Sequence, residues 1–369
     1  MIYLDNGATA FHKPPAVYRA VMDAMRSCAN PGRGGYGAAM AAARKIYGCR
    51  EQAAKLFECE PQQVVLTTSC THGLNIAIRS LIKPGSRVVI SGFEHNAVTR
   101  PLHELGVKIV VAGRKLFDWE DTLSRLETAL RNGVDCAVFT HVSNVFGYIL
   151  PVAEMTELCH RYGVPVILDA AQSAGTLPVS MKELGAAFIA MPGHKGLLGP
   201  QGTGLLICAN GGEPLLQGGT GSESAMQQMP DFLPDRLEPG TLNVPGFAGL
   251  RESIKYLNRV GTASVHQREH TQLKRCINGL KRLGMEVFSG PHQAATVSFR
   301  PGMDCEDAAA VLAEQGIAVR AGLHCAPYAH ESAGTLETGT VRVSFGYNCT
   351  DAETDAFLRA ASKLPHFLL

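Results

Sequence analysis

Short, apolar, β-branched runs punctuate the chain and alternate with stretches of helical period. The runs are VVLTT at 64–68, RVVISG at 87–92, KIVVAG at 108–113, DCAVFTHVS at 135–143 and VPVILDAA at 164–171. Continuous apolar character is what strands buried on both faces require, and the helices between them supply the cover. The pattern therefore predicts an α/β unit with a largely parallel sheet. The segment opening at Asp118 typifies the helices, with the Asp118 side chain placed to cap and Asp121 in the first turn. In such sheets the loops at the carboxyl ends of the strands bind ligands.

From about residue 246 the texture changes to one long polar, periodic helix (GLRESIKYLNRV, then VHQREHTQLKRCINGLKRL). Strand-like ATVSFR, IAVRAG and VRVSFG follow, then a terminal helix, so the C-terminal third reads as a smaller α/β domain. The glycine-rich stretch 211–222 and the proline-rich stretch 230–245 read as loops of the larger unit.

Composition narrows the function classes. With 369 residues and 46% hydrophobic content the chain can bury a large core. Lys and Arg total 34 against 33 Asp and Glu, and a net charge of +1 provides no broad field for nucleic acid or an anionic membrane. Eleven cysteines, an odd number without a CxxC pair, argue against zinc knuckles and against a disulfide framework, and no metal site is expected. No basic segment followed by an apolar stretch opens the chain, and no run approaches the ~20 residues that cross a bilayer. A cytoplasmic protein with reduced thiols is the expectation.

Asp169 closes an apolar run and so falls at the mouth of a central strand. A carboxylate there needs a cationic or protonated partner. Taken alone it reads as a helix cap or a metal ligand. The picture changes with Gly193-His194-Lys195, which follows another apolar run, AAFIAM. A lysine in a glycine-flanked turn can reach a cofactor aldehyde, while a nearby carboxylate holds a pyridinium nitrogen protonated. The glycines of GHKGLLGPQGTG match neither GxxxxGK[ST] nor GxGxxG after a strand, which sets a nucleotide loop aside.

The blocks NPGRGGYG (30–37), TTSCTHGLN (67–75), EHNA (94–97), HVSNVFG (141–147), LDAAQSAG (168–175), GHKGLLGPQGTG (193–204), EPGTLNVPG (238–246) and RAGLHCAP (320–327) run from YLDNGAT to VRVSFGYN. In order and spacing the chain resembles the class V aminotransferase family, and most of all its cysteine desulfurase branch of the SufS and selenocysteine-lyase kind. The resemblance implies the type I fold of pyridoxal-phosphate enzymes, like that of aspartate aminotransferase. A large, mostly parallel-sheet domain over 14–250 would carry pyridoxal 5'-phosphate, and a smaller α/β domain from 1–13 and 251–369 would carry the cysteine loop. It also implies a homodimer and a role in sulfur transfer toward iron–sulfur cluster assembly.

Residue by residue, the resemblance makes Lys195 the Schiff-base lysine, Asp169 the partner of the pyridine nitrogen, His95 the imidazole on the ring face and Gln172 the donor to the phenolic oxygen. Asn144 and Arg342 become the substrate-carboxylate clamp, with Arg320 alongside, although a lone Arg342 reads as a surface strand residue. The phosphate falls to the turn Cys70-Thr71, where amides entering a helix face an anion, with His194, and with Thr241 from a second subunit. Cys70 and Pro192 stand where relatives carry hydroxyl residues, so two hydroxyl donors are missing from the cradle.

Most of the eleven thiols read as small buried hydrophobes. Cys325 differs, because it lies in a loop beside Arg320 and His324, whose positive potential favours a thiolate. Leu323 replaces one imidazole of the usual RxGHHC. The implied reaction takes L-cysteine or a similar small amino acid to alanine with a persulfide on Cys325, for handover to an acceptor protein. Selenocysteine lyase, another class V β-lyase or a transaminase is the alternative, and a cofactor-binding scaffold or sulfur relay is the non-enzymatic one.

Overall fold

The computed structural model describes residues 1–32 and 34–365, so Arg33 of the NPGRGGYG block and 366–369 lie outside the described residues. Its main sheet has seven strands in the order Val64–Thr67, Gly204–Cys208, Phe188–Pro192, Val166–Asp169, Cys136–Thr140, Arg87–Ile90 and Lys108–Val111. All run the same way except Gly204–Cys208, which is antiparallel to both of its neighbours. Successive side chains feed opposite faces. Ala137, Phe139, Leu168, Ile189 and Ile207 enter one core, while Val138, Ile167, Ala190 and Leu206 enter the other. Burial on both faces explains the unbroken apolar runs, and each fully buried large side chain contributes about 1.5–3 kcal/mol.

The long helical stretch is two helices, Val244–Val260 and Thr262–Arg282, separated by Gly261 at φ 84°. The first packs on helices Pro15–Ser27 and Gly37–Phe57, and the boundary expected after residue 250 falls inside it. Beyond it, the antiparallel sheet Arg320–Gly322, Thr340–Ser344, Thr296–Arg300 and Glu286–Phe288 covers a separate core that includes Leu273, Phe299, Val343 and Phe357. The chain start returns to this unit, since Ile2–Tyr3 pairs with Ile317–Ala318 and Asp5 bridges to Ser344. Asp5 is thereby set beside Arg342 and Arg320, which are themselves cross-strand partners. No helix among the described residues is long and apolar enough to cross a membrane.

Candidate active site

The carboxyl ends of the parallel strands converge, as open α/β sheets require. Asp169 ends its strand, Lys195 follows Phe188–Pro192, Asn144 follows Cys136–Thr140, His95 follows Arg87–Ile90, and the helix Cys70–Leu81 starts just after Val64–Thr67.

Asp169 is buried. Its Oδ1 accepts the Ala171 amide at 2.9 Å and the Cys70 thiol at 3.5 Å, while Oδ2 takes no donor among the described residues. Lys195 sits in a turn closed by Gly193 N–H to Thr203 O (2.8 Å) and Leu198 N–H to Lys195 O (2.8 Å). Glycine is demanded here, because a Cβ on Gly193 would stand 2.1 Å from Thr203 Oγ1. At Gly175 (φ 92°) a Cβ would stand 2.3 Å from the Gly196 carbonyl, so the lysine turn packs directly on LDAAQSAG. Burial lowers the Lys195 pKa, although Cys70 and Asp169 pull the other way.

His95 caps the helix Asn96–Glu104, its Nδ1 accepting from the Ala97 amide at 3.0 Å. Burial lowers its pKa, which favours the neutral ring. Gln172 uses one Nε2 hydrogen on the Gly7 carbonyl at 2.9 Å and keeps the other.

At the helix start, Ser69 Oγ accepts the His72 amide (3.1 Å) and its carbonyl accepts that of Gly73 (3.2 Å). The amides of Cys70 and Thr71 are left without intrahelical acceptors, an arrangement suited to an anion. The Cys70 side chain turns away to Asp169, and burial pushes its thiol well above the usual range. Cys70 therefore offers its amide and not its side chain. His194 Nδ1 is buried without a partner among the described residues, and burial pushes the imidazole down to about 4. Thr241 stands apart: exposed, it lines a different cavity of ≈ 630 Å³ with Arg50, Tyr47 and Glu238.

The thiol loop comes from the small sheet. Ala326 N–H to Leu323 O (2.9 Å) closes it, and His324 and Cys325 both adopt left-handed backbone, at φ 51° and 56°. Two non-glycine residues in that region are held by their surroundings. Asn96 N–H donates to the Cys325 carbonyl at 2.7 Å, and Asn144 Nδ2 donates to that of His324 at 2.8 Å. Cys325 itself is exposed. The expectation that His324 adds positive potential is overturned, because the ring is buried and burial, reinforced by Arg342, pushes its pKa down to about 3. Its neutral ring stacks at 5.8 Å on the buried His330. Arg320 is the cation of the loop.

Arg342 is buried, not a surface residue. Its Nη2 donates to Asp5 Oδ1 (2.7 Å) and its Nη1 to the Asn144 carbonyl (3.0 Å), while Nε is buried without a partner among the described residues. The sequence reading missed Asp5, and it missed Glu94, which is buried and accepts from Ser91 N and Oγ, Phe93 N and Thr140 N. Glu94 thus fixes the His95 loop to its strand. Missed too was Glu269, a buried carboxyl lining a small cavity of ≈ 40 Å³ that Lys195, Gln172 and Asn6 also face.

A strand-end carboxylate behind a turn lysine on a mostly parallel sheet, with a second unit folded over them, is the architecture of a large class of α/β enzymes. The chain belongs to the aminotransferase class-V family, whose model matches residues 2–357. A probable cysteine desulfurase of Methanothermobacter thermautotrophicus is 35% identical, with 95% of this chain and 92% of that protein covered. A probable cysteine desulfurase of Pyrococcus abyssi is 31% identical, over 99% and 94%. Among solved structures, the apo cysteine desulfurase of Thermococcus onnurineus superposes with a TM-score of 0.90 at 31% identity, covering 98% of this chain and 94% of that one. The cysteine desulfurase CsdA of Escherichia coli, in its S-sulfonic acid form, gives 0.84 at 27% identity, over 97% and 93%.

Proposed function

We propose that the protein is a pyridoxal-phosphate-dependent cysteine desulfurase that converts L-cysteine to L-alanine and leaves the sulfur as a persulfide on Cys325. The observation that carries this reading is the exposed thiol held beside the site. The Cys325 carbonyl is bound by the residue next to His95, and the His324 carbonyl by Asn144, the residue whose own carbonyl takes Arg342.

The residues present fit the cofactor. The free amides of Cys70 and Thr71 and the orphaned Nδ1 of His194 would hold its phosphate, the open Oδ2 of Asp169 its ring nitrogen, and the spare Gln172 hydrogen its phenolic oxygen. His95 would lie on the ring face and Lys195 at the aldehyde. When bound, pyridoxal phosphate supplies an aldehyde that captures an amino group and a ring that draws electrons from the attached carbon.

The buried Nε of Arg342 is a donor without an acceptor among the described residues, suited to the substrate carboxylate. Lys195, which burial biases toward the neutral amine, takes the α-proton. The Cys325 thiolate attacks the substrate sulfur: the S–S bond forms and the Cβ–S bond breaks, the proton of the substrate thiol is matched by the one the β-carbon gains, and the α-carbon takes its proton back to give alanine. A dedicated acceptor protein then takes the terminal sulfur for iron–sulfur cluster assembly. Free thiols among the described cysteines suit the reducing cytoplasm.

Two copies make the working unit. The exposure of Thr241, away from Lys195 in its own chain, supports its service to a neighbour. So do the exposed Tyr18, Met22 and Met25 on one helix and Met40 and Tyr47 on the next. The holoenzyme is expected to form alanine from L-cysteine, and Lys195→Ala to lose this by roughly a thousandfold or more. Undiminished alanine formation by Lys195→Ala, or none by the wild type, refutes the reading.

A further inference from the structure

Cys70 opens the helix Cys70–Leu81 and serves the site from two of its atoms. Its backbone amide is one of the free donors at the helix start, while its thiol donates to Asp169 Oδ1 at 3.5 Å. One residue thus touches both groups that would hold the two ends of the cofactor, the phosphate at the amide and the ring nitrogen through Asp169. The reaction above makes no use of the thiol.

Asp169 needs a second donor. The torsion that turns a carboxylate about its own bond is broad and two-fold, so a single hydrogen bond leaves the carboxylate plane free to swing. One bond comes from the Ala171 amide at 2.9 Å, on the chain just past the same strand end. The other comes from a different element and meets the same oxygen, which leaves Oδ2 without a donor among the described residues. The helix start has no room to back away. A Cβ on Gly204 would stand 2.6 Å from the carbonyl carbon of Ser69, and one on Gly73 would stand 3.4 Å from Leu206 Cβ. Both Cys70 and Asp169 are buried, so bulk water does not compete for the bond. Burial first, and the Asp169 carboxylate second, push the thiol well above its ordinary range, so it keeps its proton and remains a donor.

We propose that Cys70, through its thiol, is a positioning residue that orients Asp169 toward the ring nitrogen of the cofactor and ties that orientation to the helix start that takes the phosphate. The inference rests on the assignment of Asp169 to the ring nitrogen and is independent of the sulfur chemistry at Cys325.

Three probes separate the ring from the phosphate. Pyridoxal phosphate carries both the ring nitrogen and the phosphate, pyridoxal lacks the phosphate, and deazapyridoxal phosphate has carbon in place of the ring nitrogen. The affinity of each is measured on the full-length wild type and on Cys70→Ala, freed of cofactor and shown to be folded by their thermal transitions. Cys70→Ala is expected to weaken pyridoxal phosphate and pyridoxal alike by about fivefold, the scale of one hydrogen bond, and to leave the deaza analogue unchanged. In an Asp169→Ala background the same substitution is expected to change none of the three affinities, because its effect runs through the carboxylate.

A thiol that served the phosphate would spare pyridoxal, and a merely loosened site would weaken all three probes. Either result overturns the inference and leaves the assignment of Asp169 standing, as does unchanged affinity throughout. A wild type that binds pyridoxal phosphate no more tightly than its deaza analogue refutes that assignment and this inference with it. Should Cys70→Ala fail to fold, alkylation of Cys70 in the cofactor-free chain, mapped by peptide mass spectrometry, is compared between wild type and Asp169→Asn. Removing the charge that holds the proton on the thiol is expected to speed alkylation by about threefold or more, with the buried Cys208 unchanged as control. Equal rates at Cys70 overturn the inference.

Discussion

Glu269 shows how a single residue can set a pH dependence. Its carboxyl is fully buried on the helix Thr262–Arg282 without a cationic partner among the described residues, and burial alone pushes its pKa from 4.5 up to about 8. The folded state keeps the proton while the unfolded chain releases it. This contribution to stability is therefore complete below pH 4.5 and is lost as pH rises to about 8. Glu269→Gln preserves the neutral shape and removes that loss, so its thermal stability relative to wild type is expected to improve by about 4–5 kcal/mol between those limits. A constant difference across the range, read by calorimetry, would contradict this. His324, with its pKa depressed, has the opposite sign and loses stability as pH falls below its ordinary 6.5. At this scale the sequence was legible where a motif carried the residue. Asp169, Lys195, His95 and Arg342 could be named because each sits in a recognisable block at a strand end or in a facing strand. Asp5 could not, since its partners lie more than three hundred residues away and only the pairing of chain start with chain end brings them near. The neutrality of His324 was equally hidden, because burial is a property of the fold.

Strands and helices were legible to the extent that their burial is uniform. The five runs read as strands each contain one, four of them buried on both faces and Lys108–Val111 a part-buried edge strand, and Asp118 caps its helix through the Asp121 amide at 2.9 Å. Gly204–Cys208 escaped, as an antiparallel strand buried on both faces carries no mark of its direction. The break at Gly261 escaped as well, since the period of the pattern continues across it. The EPGTLNVPG segment shows what an element needs to hold a loop in place. Glu238 accepts Arg50 Nη1 at 2.7 Å and Nη2 at 2.6 Å in a buried fork, and takes the Leu66 amide as well. This ties the segment that carries Thr241 to the first strand of the order. Removing one partner leaves a buried charge unpaired, so Glu238→Ala is expected to destabilise the fold by about 3–5 kcal/mol. Denaturant unfolding measures it, and a loss within the range of surface substitutions would show that the pair does not anchor the segment.

The whole molecule brings two units to one point. The large sheet delivers Lys195, Asp169, His95 and the helix amides, while the small sheet delivers Arg342, Arg320 and the thiol, with the chain start acting as the bridge. In the proposed reaction, the contact between His324-Cys325 and Asn96-Asn144 is what makes a lysine enzyme fold a sulfur-transfer site. The most direct test of that claim is mass spectrometry of the peptide bearing Cys325 after a single turnover with L-cysteine in the absence of reductant. One added sulfur on Cys325, matched by one alanine per site and absent from Cys325→Ser along with its alanine, is the expected result. Alanine at the wild-type rate from Cys325→Ser, or the added sulfur on a different cysteine, would contradict it.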